Sequence, residues 1–288
     1  MDIFSRMISS VWHTSRFSID LSQPKVMAIV NLTPDSFSDG GQHATLKQAL
    51  DHAQKVLAQG ADILDIGGES SRPGAKAVSV QEELDRICPF LQEAVHWNVP
   101  LSVDTAKPEV MKVALDMGAD IINDIWALRQ PGALEVVAQH ANCGVCLMHM
   151  HRDPQSMHEQ PMLGDAVVAV KDFLSQRLEA LSDAGISVDR IVLDPGVGFG
   201  KTISQNLSLL QRQAELLMLQ RPLLAGWSRK GSLGHITAVN GVVPAPVERV
   251  GASVGAALMS VQNGASVVRV HDVQETVQAL RFWQAAKP

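Results

Sequence analysis

The sequence predicts an α/β fold, a (β/α)8 TIM barrel with a short N-terminal strand or hairpin, and three observations carry that prediction. A local pattern recurs: Gln59-Gly-Ala-Asp-Ile-Leu-Asp-Ile66, Met117-Gly-Ala-Asp-Ile-Ile-Asn-Asp124 and Asn263-Gly-Ala-Ser-Val-Val-Arg-Val270 each follow an amphipathic stretch. A glycine just past a helix supplies the left-handed conformation that ends it, and the apolar run behind it reads as a strand buried on both faces. Eight such apolar runs alternate with helical patterns along the chain. The length, 288 residues, suits one barrel of this kind, which takes about 250.

Taken in order, residues 1–14 read as an N-terminal tail and residues 15–288 as one barrel domain. Residues 15–21 form an extended segment ended by Ser22-Gln23-Pro24, expected to plug the bottom of the barrel. Barrel strands are expected at 26–30, 63–66, 101–103, 121–122, 145–148, 191–193, 223–225 and 267–270, each short and rich in Val, Ile and Leu. Helical periodicity fills 46–59, 80–97, 108–117, 166–184, 203–219 and 247–263, and 273–286 follows the last strand. Four irregular stretches, 33–42, 70–77, 149–163 and 231–246, each come after a strand, at the end of the barrel where chemistry is done.

Composition narrows the function. With 46% hydrophobic and 19% charged residues the chain is of ordinary globular type, and a formal charge of −6 argues against a nucleic-acid surface. Three cysteines, Cys88, Cys143 and Cys146, make no disulfide framework, and residues 1–20 hold no apolar core of signal-peptide length. No apolar run is long enough to span a bilayer. The expectation is a cytoplasmic chain with no membrane partner.

The polar residues at or just beyond the strand ends are Asn31, Asp65 with Glu69, Asp104, Asn123, His149, Asp194, Ser228 with Lys230, and Arg269 with His271. Unpaired polar groups at apolar strand ends cost about 1 to 3 kcal/mol each, so a ring of them implies mutual pairing or a ligand. Asp104, Asn123 and Asp194 are acceptor-rich and suit a donor-rich heterocycle such as a 2-amino-4-oxopteridine, with Lys230 facing a ring carbonyl. Arg72, Arg269, His271 and Asn31 suit phosphate oxygens or a Mg²⁺-phosphate unit.

Five segments, Asn31-Leu-Thr-Pro-Asp-Ser-Phe-Ser-Asp-Gly-Gly41, Gly68-Glu-Ser-Ser-Arg-Pro-Gly74, Asp194-Pro-Gly-Val-Gly-Phe-Gly-Lys201, Ser228-Arg-Lys230 and Arg269-Val-His271, resemble in sequence and order the signatures of dihydropteroate synthases. The resemblance runs from about Phe17 to the C-terminus. It implies condensation of 6-hydroxymethyl-7,8-dihydropterin diphosphate with 4-aminobenzoate to 7,8-dihydropteroate and pyrophosphate, with Mg²⁺ as cofactor, a homodimer, and sensitivity to sulfonamides as inhibitors. Carried over by position, it implies that Asp104, Asn123, Asp194 and Lys230 hold the pterin. Asn31, Ser71, Arg72, Arg269 and His271 would bind the diphosphate, and Asn31 the metal. Phe37, Ser71, Pro73, Phe199, Lys230 and Ser232 would form the aminobenzoate pocket, and Asn31, Asp35, Lys230, Arg269 and His271 would carry the chemistry. The loops bearing Thr33 to Phe37 and Ser71 to Pro73 would close over the site. Ser71 stands where many relatives have threonine and Val197 where many have phenylalanine, which bears on the aminobenzoate contacts and not on the reaction class.

Rival readings have less support. Pro195-Gly-Val-Gly-Phe-Gly-Lys-Thr202 nearly matches a phosphate-binding loop but has Pro195 where its first glycine is required. Cys143 and Cys146, three apart on a strand, face opposite sides and cannot share a metal; His149 and His151 could bind one, against the plainer reading of a packed strand end. A pterin-binding methyltransferase barrel would share the acidic contacts but not the diphosphate set, and a non-catalytic pterin-binding protein would share both and never turn over.

Overall fold

A computed structural model of the chain describes residues 10–33, 42–70, 77–154, 156–157 and 159–286. Its eight parallel strands are β3 (Lys25–Asn31), β4 (Ile63–Gly67), β5 (Leu101–Asp104), β6 (Ile121–Asp124), β7 (Gly144–Met148), β8 (Ile191–Asp194), β9 (Leu223–Ala225) and β10 (Ala265–Val270). They close in sequence order, with β10 beside β3 in the register Val268 to Val26. Most run a residue or more beyond the apolar runs that predict them, because the polar ends also pair: Asn31 lies opposite Gly67, Asp104 opposite Asn123 and Met148 opposite Asp194.

Two cores follow from the alternation of strand side chains. Met27, Ile63, Ile121, Cys146, Val192, Leu224 and Val267 pack together inside the barrel. Their neighbours Ala28, Leu64, Ile122, Leu147, Leu193 and Val268 join the outer core, shared with the helices. Two residues further along four of these strands, the inward positions become Asp65, Asn123, Asp194 and Arg269. One strand period therefore converts an apolar floor into a polar mouth. The same alternation puts Cys143 in the outer core and Cys146 in the inner one, and burial raises the pKa of both thiols.

The floor is sealed from below. Strands β1 (Val11–His13) and β2 (Ser18–Asp20) form an antiparallel hairpin with Trp12 opposite Ile19. Trp12 is fully buried in the inner cluster, and its indole N–H donates to the Arg190 carbonyl at 2.8 Å. The hairpin thus begins inside the stretch read as tail; the short sequence Val-Trp-His carries too little period to mark a strand.

The helices are α1 (Gln42–Ala58), α2 (Val80–Ala94), α3 (Pro108–Asp116), α4 (Ala133–Gln139), α5 (Ala166–Asp183), α6 (Ile203–Gln211), α7 (Gly231–Ile236), α8 (Val250–Gln262) and α9 (Val273–Ala285). Caps set several starts: Ser79 and Glu82 form a capping box on α2, as do Thr202 and Gln205 on α6, and Asp165 accepts from the first turn of α5. The pattern over 203–219 is broken at Arg212 into α6 and a 3-10 segment, Gln213–Leu219, and α8 begins after a 3-10 turn, Pro246–Glu248. Helix α7 lies inside the stretch 231–246, expected to be irregular.

Candidate active site

The mouth is organised around Asp65, which is fully buried near the end of β4. Its Oδ1 accepts from the Ser102 hydroxyl at 2.6 Å, and its Oδ2 accepts from the Asn123 amide at 3.1 Å and from Arg269 Nε at 2.5 Å. Arg269 Nη2 donates to Asp104 Oδ2 at 2.7 Å, so one guanidinium ties the ends of β4, β5 and β10 together. Burial pushes the Asp104 carboxyl up to about 7, against the pull of Arg269 and with Asp65 adding to the rise. Burial alone would lower the Arg269 pKa, but Asp65 and Asp104 outweigh it and raise it. Two of the five guanidinium N–H groups are used in these contacts.

Across the mouth, Asp194 ends β8, and its Oδ1 accepts from the Gly196 N–H at 2.7 Å. Burial raises its pKa, opposed by that hydrogen bond and by Lys230. Lys230 precedes α7 and sets its ammonium 4.1 Å from the centre of the Phe199 ring. Desolvation lowers Lys230 to about 8, while Asp194 opposes the fall. Ser232, buried in α7, is within 3.1 Å of the Asn206 amide nitrogen, and Asn206 also accepts from the Gly198 N–H at 2.8 Å.

His271, just beyond β10, pairs with Ser228 twice: Nδ1 lies 3.0 Å from the hydroxyl, and the His271 N–H donates to that oxygen at 3.1 Å. Asn31 closes β3 beside Gly67, with its amide oxygen over that glycine: a Cβ there would sit 3.6 Å from it, in ordinary contact. A neutral oxygen suits Mg²⁺ that takes its other ligands from water and phosphate. Among the described residues no group of three or more His, Cys, Asp and Glu side chains could hold a metal by itself.

The fold therefore gathers Asn31, Asp104, Asn123, Asp194, Phe199, Lys230, Ser232, Arg269 and His271 at one end of the barrel. Asp35, Phe37, Ser71, Arg72 and Pro73 lie outside the described residues, as do most of the loops that bear them. Val197 is buried against Leu210, Trp227 and Leu233. Sequence reading missed two groups. Ser102 was legible in principle, since it shares the inward face of β5 with Asp104 two residues on. Lys201, buried and hydrogen-bonded to His149, entered that reading as the last residue of one resemblance segment and in a failed phosphate-loop match, with no role of its own.

Comparison with known proteins places the chain. A family model described as pterin binding enzyme matches residues 27–271. A dihydropteroate synthase of Neisseria meningitidis serogroup B is 48% identical over 284 residues, 97% of this chain and 98% of that one, and the Escherichia coli K12 enzyme is 46% identical over 93% of both. Among solved structures, Xanthomonas albilineans dihydropteroate synthase with 4-aminobenzoic acid superposes with a TM-score of 0.90 at 47% identity, covering 97% of this chain and 100% of the other. The Burkholderia cenocepacia enzyme complexed with 7,8-dihydropteroate gives 0.85 at 45% identity over 96% of each. On the extent and level of these matches, the chain belongs to the dihydropteroate synthases, within the pterin-binding enzyme family.

Proposed function

We propose that this chain joins 6-hydroxymethyl-7,8-dihydropterin diphosphate to 4-aminobenzoate, forming 7,8-dihydropteroate and pyrophosphate. The observation that carries the reading is the pairing, in one barrel mouth, of an acceptor-rich set, Asp104, Asn123 and Asp194, with the donors Arg269 and Lys230. The pterin's ring N–H and exocyclic amine would meet the carboxylates, and Lys230 its carbonyl oxygen. Arg269, His271 and Asn31, with Ser71 and Arg72 from the loop after β4, would hold the diphosphate. Phe199, Lys230 and Ser232, with Phe37, Ser71 and Pro73, would line the aminobenzoate pocket.

In this reaction the bond from the pterin methylene carbon to the diphosphate oxygen breaks and its electron pair leaves with pyrophosphate. The arylamine lone pair forms the new C–N bond, and the nitrogen releases a proton to solvent or to pyrophosphate. The acidic mouth favours positive charge developing on the methylene, and the Arg269 and His271 side favours negative charge on the leaving oxygen. Mg²⁺, when bound, would supply further neutralisation of the diphosphate, and Asn31 would hold it. Asp35 would contribute from the loop after β3. The test is pyrophosphate release from the purified protein with Mg²⁺ and the pterin diphosphate, with and without 4-aminobenzoate. Aminobenzoate-dependent release with dihydropteroate identified by mass is expected; binding without condensation would reduce the protein to a pterin carrier.

Two finer readings accompany this one. Sulfonamides would compete with 4-aminobenzoate, as is natural for mimics of an arylamine acid in a pocket shaped by Phe199, Lys230 and Ser232. A homodimer is supported by exposed apolar side chains around α7 and α8: Ile236, Val239, Val242, Val247 and Met259 are each between 48% and 71% exposed. Among the described residues no helix is long and apolar enough to cross a membrane.

A further inference from the structure

Lys201 is buried beneath the loop that follows β8, with only 7% of its surface exposed. Its ammonium lies 2.8 Å from His149 Nδ1 and donates to the Gly196 carbonyl at 2.8 Å and the Phe199 carbonyl at 3.1 Å. A lysine ammonium has three donors, so this arrangement satisfies it without any carboxylate in contact. Burying such a charge is costly unless acceptors converge on it, and here the chain's own carbonyls do. Gly196 has a φ of +67°, and a Cβ on it would sit 1.8 Å from the His149 carbonyl oxygen; Gly200 has +69°, with a Cβ 2.7 Å from His151. The backbone is bent tightly enough that only glycine fits, and the bend turns carbonyls inward onto Lys201.

His149 completes the cage. Burial and the neighbouring ammonium lower its pKa to about 2, so the ring is neutral and Nδ1 is free to accept; its edge packs against Phe173 at 5.0 Å. On the other side of the loop the Phe199 ring faces Lys230 at 4.1 Å. Asp194, by contrast, is held by the strand itself: it lies opposite Met148 in the ladder, and its carbonyl accepts from the His149 N–H at 3.0 Å. Lys201 therefore grips the loop at Gly196 and at Phe199, whereas Asp194 is anchored by the strand and meets that loop only through the Gly196 N–H.

We infer that Lys201 is a positioning residue for the aminobenzoate half of the reaction: by binding the Gly196 and Phe199 carbonyls and His149, it fixes the Phe199 ring under Lys230. The inference rests on the proposed condensation and on Phe199 lining the aminobenzoate pocket. It is tested by steady-state kinetics on Lys201→Met, Phe199→Leu and the double variant, varying each substrate in turn. Lys201→Met is expected to raise KM for 4-aminobenzoate about tenfold while the pterin diphosphate KM stays within about twofold. The double variant is expected to match Phe199→Leu alone, since a residue that acts through the ring has nothing left to position once the ring is gone. Equal changes in both KM values, or additive effects in the double variant, overturn the inference while leaving the reaction intact. A wild-type protein that forms no dihydropteroate overturns the reaction and the inference with it. Should Lys201→Met fail to fold, His149→Asn, which leaves the carbonyl contacts in place, must raise the aminobenzoate KM alone by about threefold; an unchanged value overturns the inference.

Discussion

Arg269 holds two carboxylates, Asp65 and Asp104, that would otherwise repel one another in a nearly dry site. Its removal in Arg269→Ala should lower unfolding stability by about 3 to 5 kcal/mol, the cost of stranding buried charge, and weaken diphosphate binding more than pterin binding. Urea titration and separate binding measurements with the pterin diphosphate and the free pterin check the two parts. Lys230→Ala should do the reverse, weakening the pterin by about tenfold or more with little loss of stability, because the Lys230 side chain rests on the Phe199 ring and over Gly198 rather than bridging buried carboxylates. Small and equal effects from both would sink the division of labour. His149 gives a pH prediction. Its pKa in the folded chain is about 2 against 6.5 for an ordinary histidine, so below pH 6.5 the unfolded chain takes up a proton that the folded one refuses. Stability from this group is full above pH 6.5 and falls with acid, by about 2 kcal/mol at pH 5. Melting temperature followed from pH 7 to 5 should therefore decline less steeply in His149→Asn than in the wild type; parallel curves would refute it.

At the scale of elements, the barrel strands were legible because each is a short apolar run closed by a polar residue, and the inward alternation then follows from strand geometry alone. Asp104, Asn123, Asp194 and Arg269 could be named as neighbours for that reason. Their partners could not: that Asp65 would bind Ser102, Asn123 and Arg269 at once depends on barrel closure, which brings β10 beside β3, one strand away from β4. The short helices α4 and α7, seven and six residues long, are below the length at which a helical period can be read. Lys201 was hidden by its own charge, since sequence gives no sign that carbonyls will surround a lysine. The hairpin of β1 and β2 was expected but its first strand was not. Trp12→Ala should test what the hairpin contributes: deleting a fully buried indole should cost about 3 to 5 kcal/mol, seen as a lower denaturant midpoint. A cost under about 1 kcal/mol would mean the hairpin is an ornament to the barrel floor rather than part of it.

For the whole molecule, the exposed apolar side chains near α7 and α8 make association a matter of surface chemistry. Sedimentation equilibrium should give a dimer for the wild type, and Val239→Lys with Val242→Lys should shift it to monomer; a wild-type monomer at micromolar concentration would dismiss the partner. The hairpin has a different consequence at this scale. With Trp12 filling the lower end, the barrel is a vessel with a single doorway, and everything the reaction consumes or makes must use it. Asp65 and Asn123 lie deepest, Phe199 and Ser232 towards the β8 and α7 side, so the guest that occupies the far wall has to arrive before the one that stands behind it. Traffic would then be last in, first out: 4-aminobenzoate entering over a seated pterin, and dihydropteroate backing out as one piece through the way both halves came.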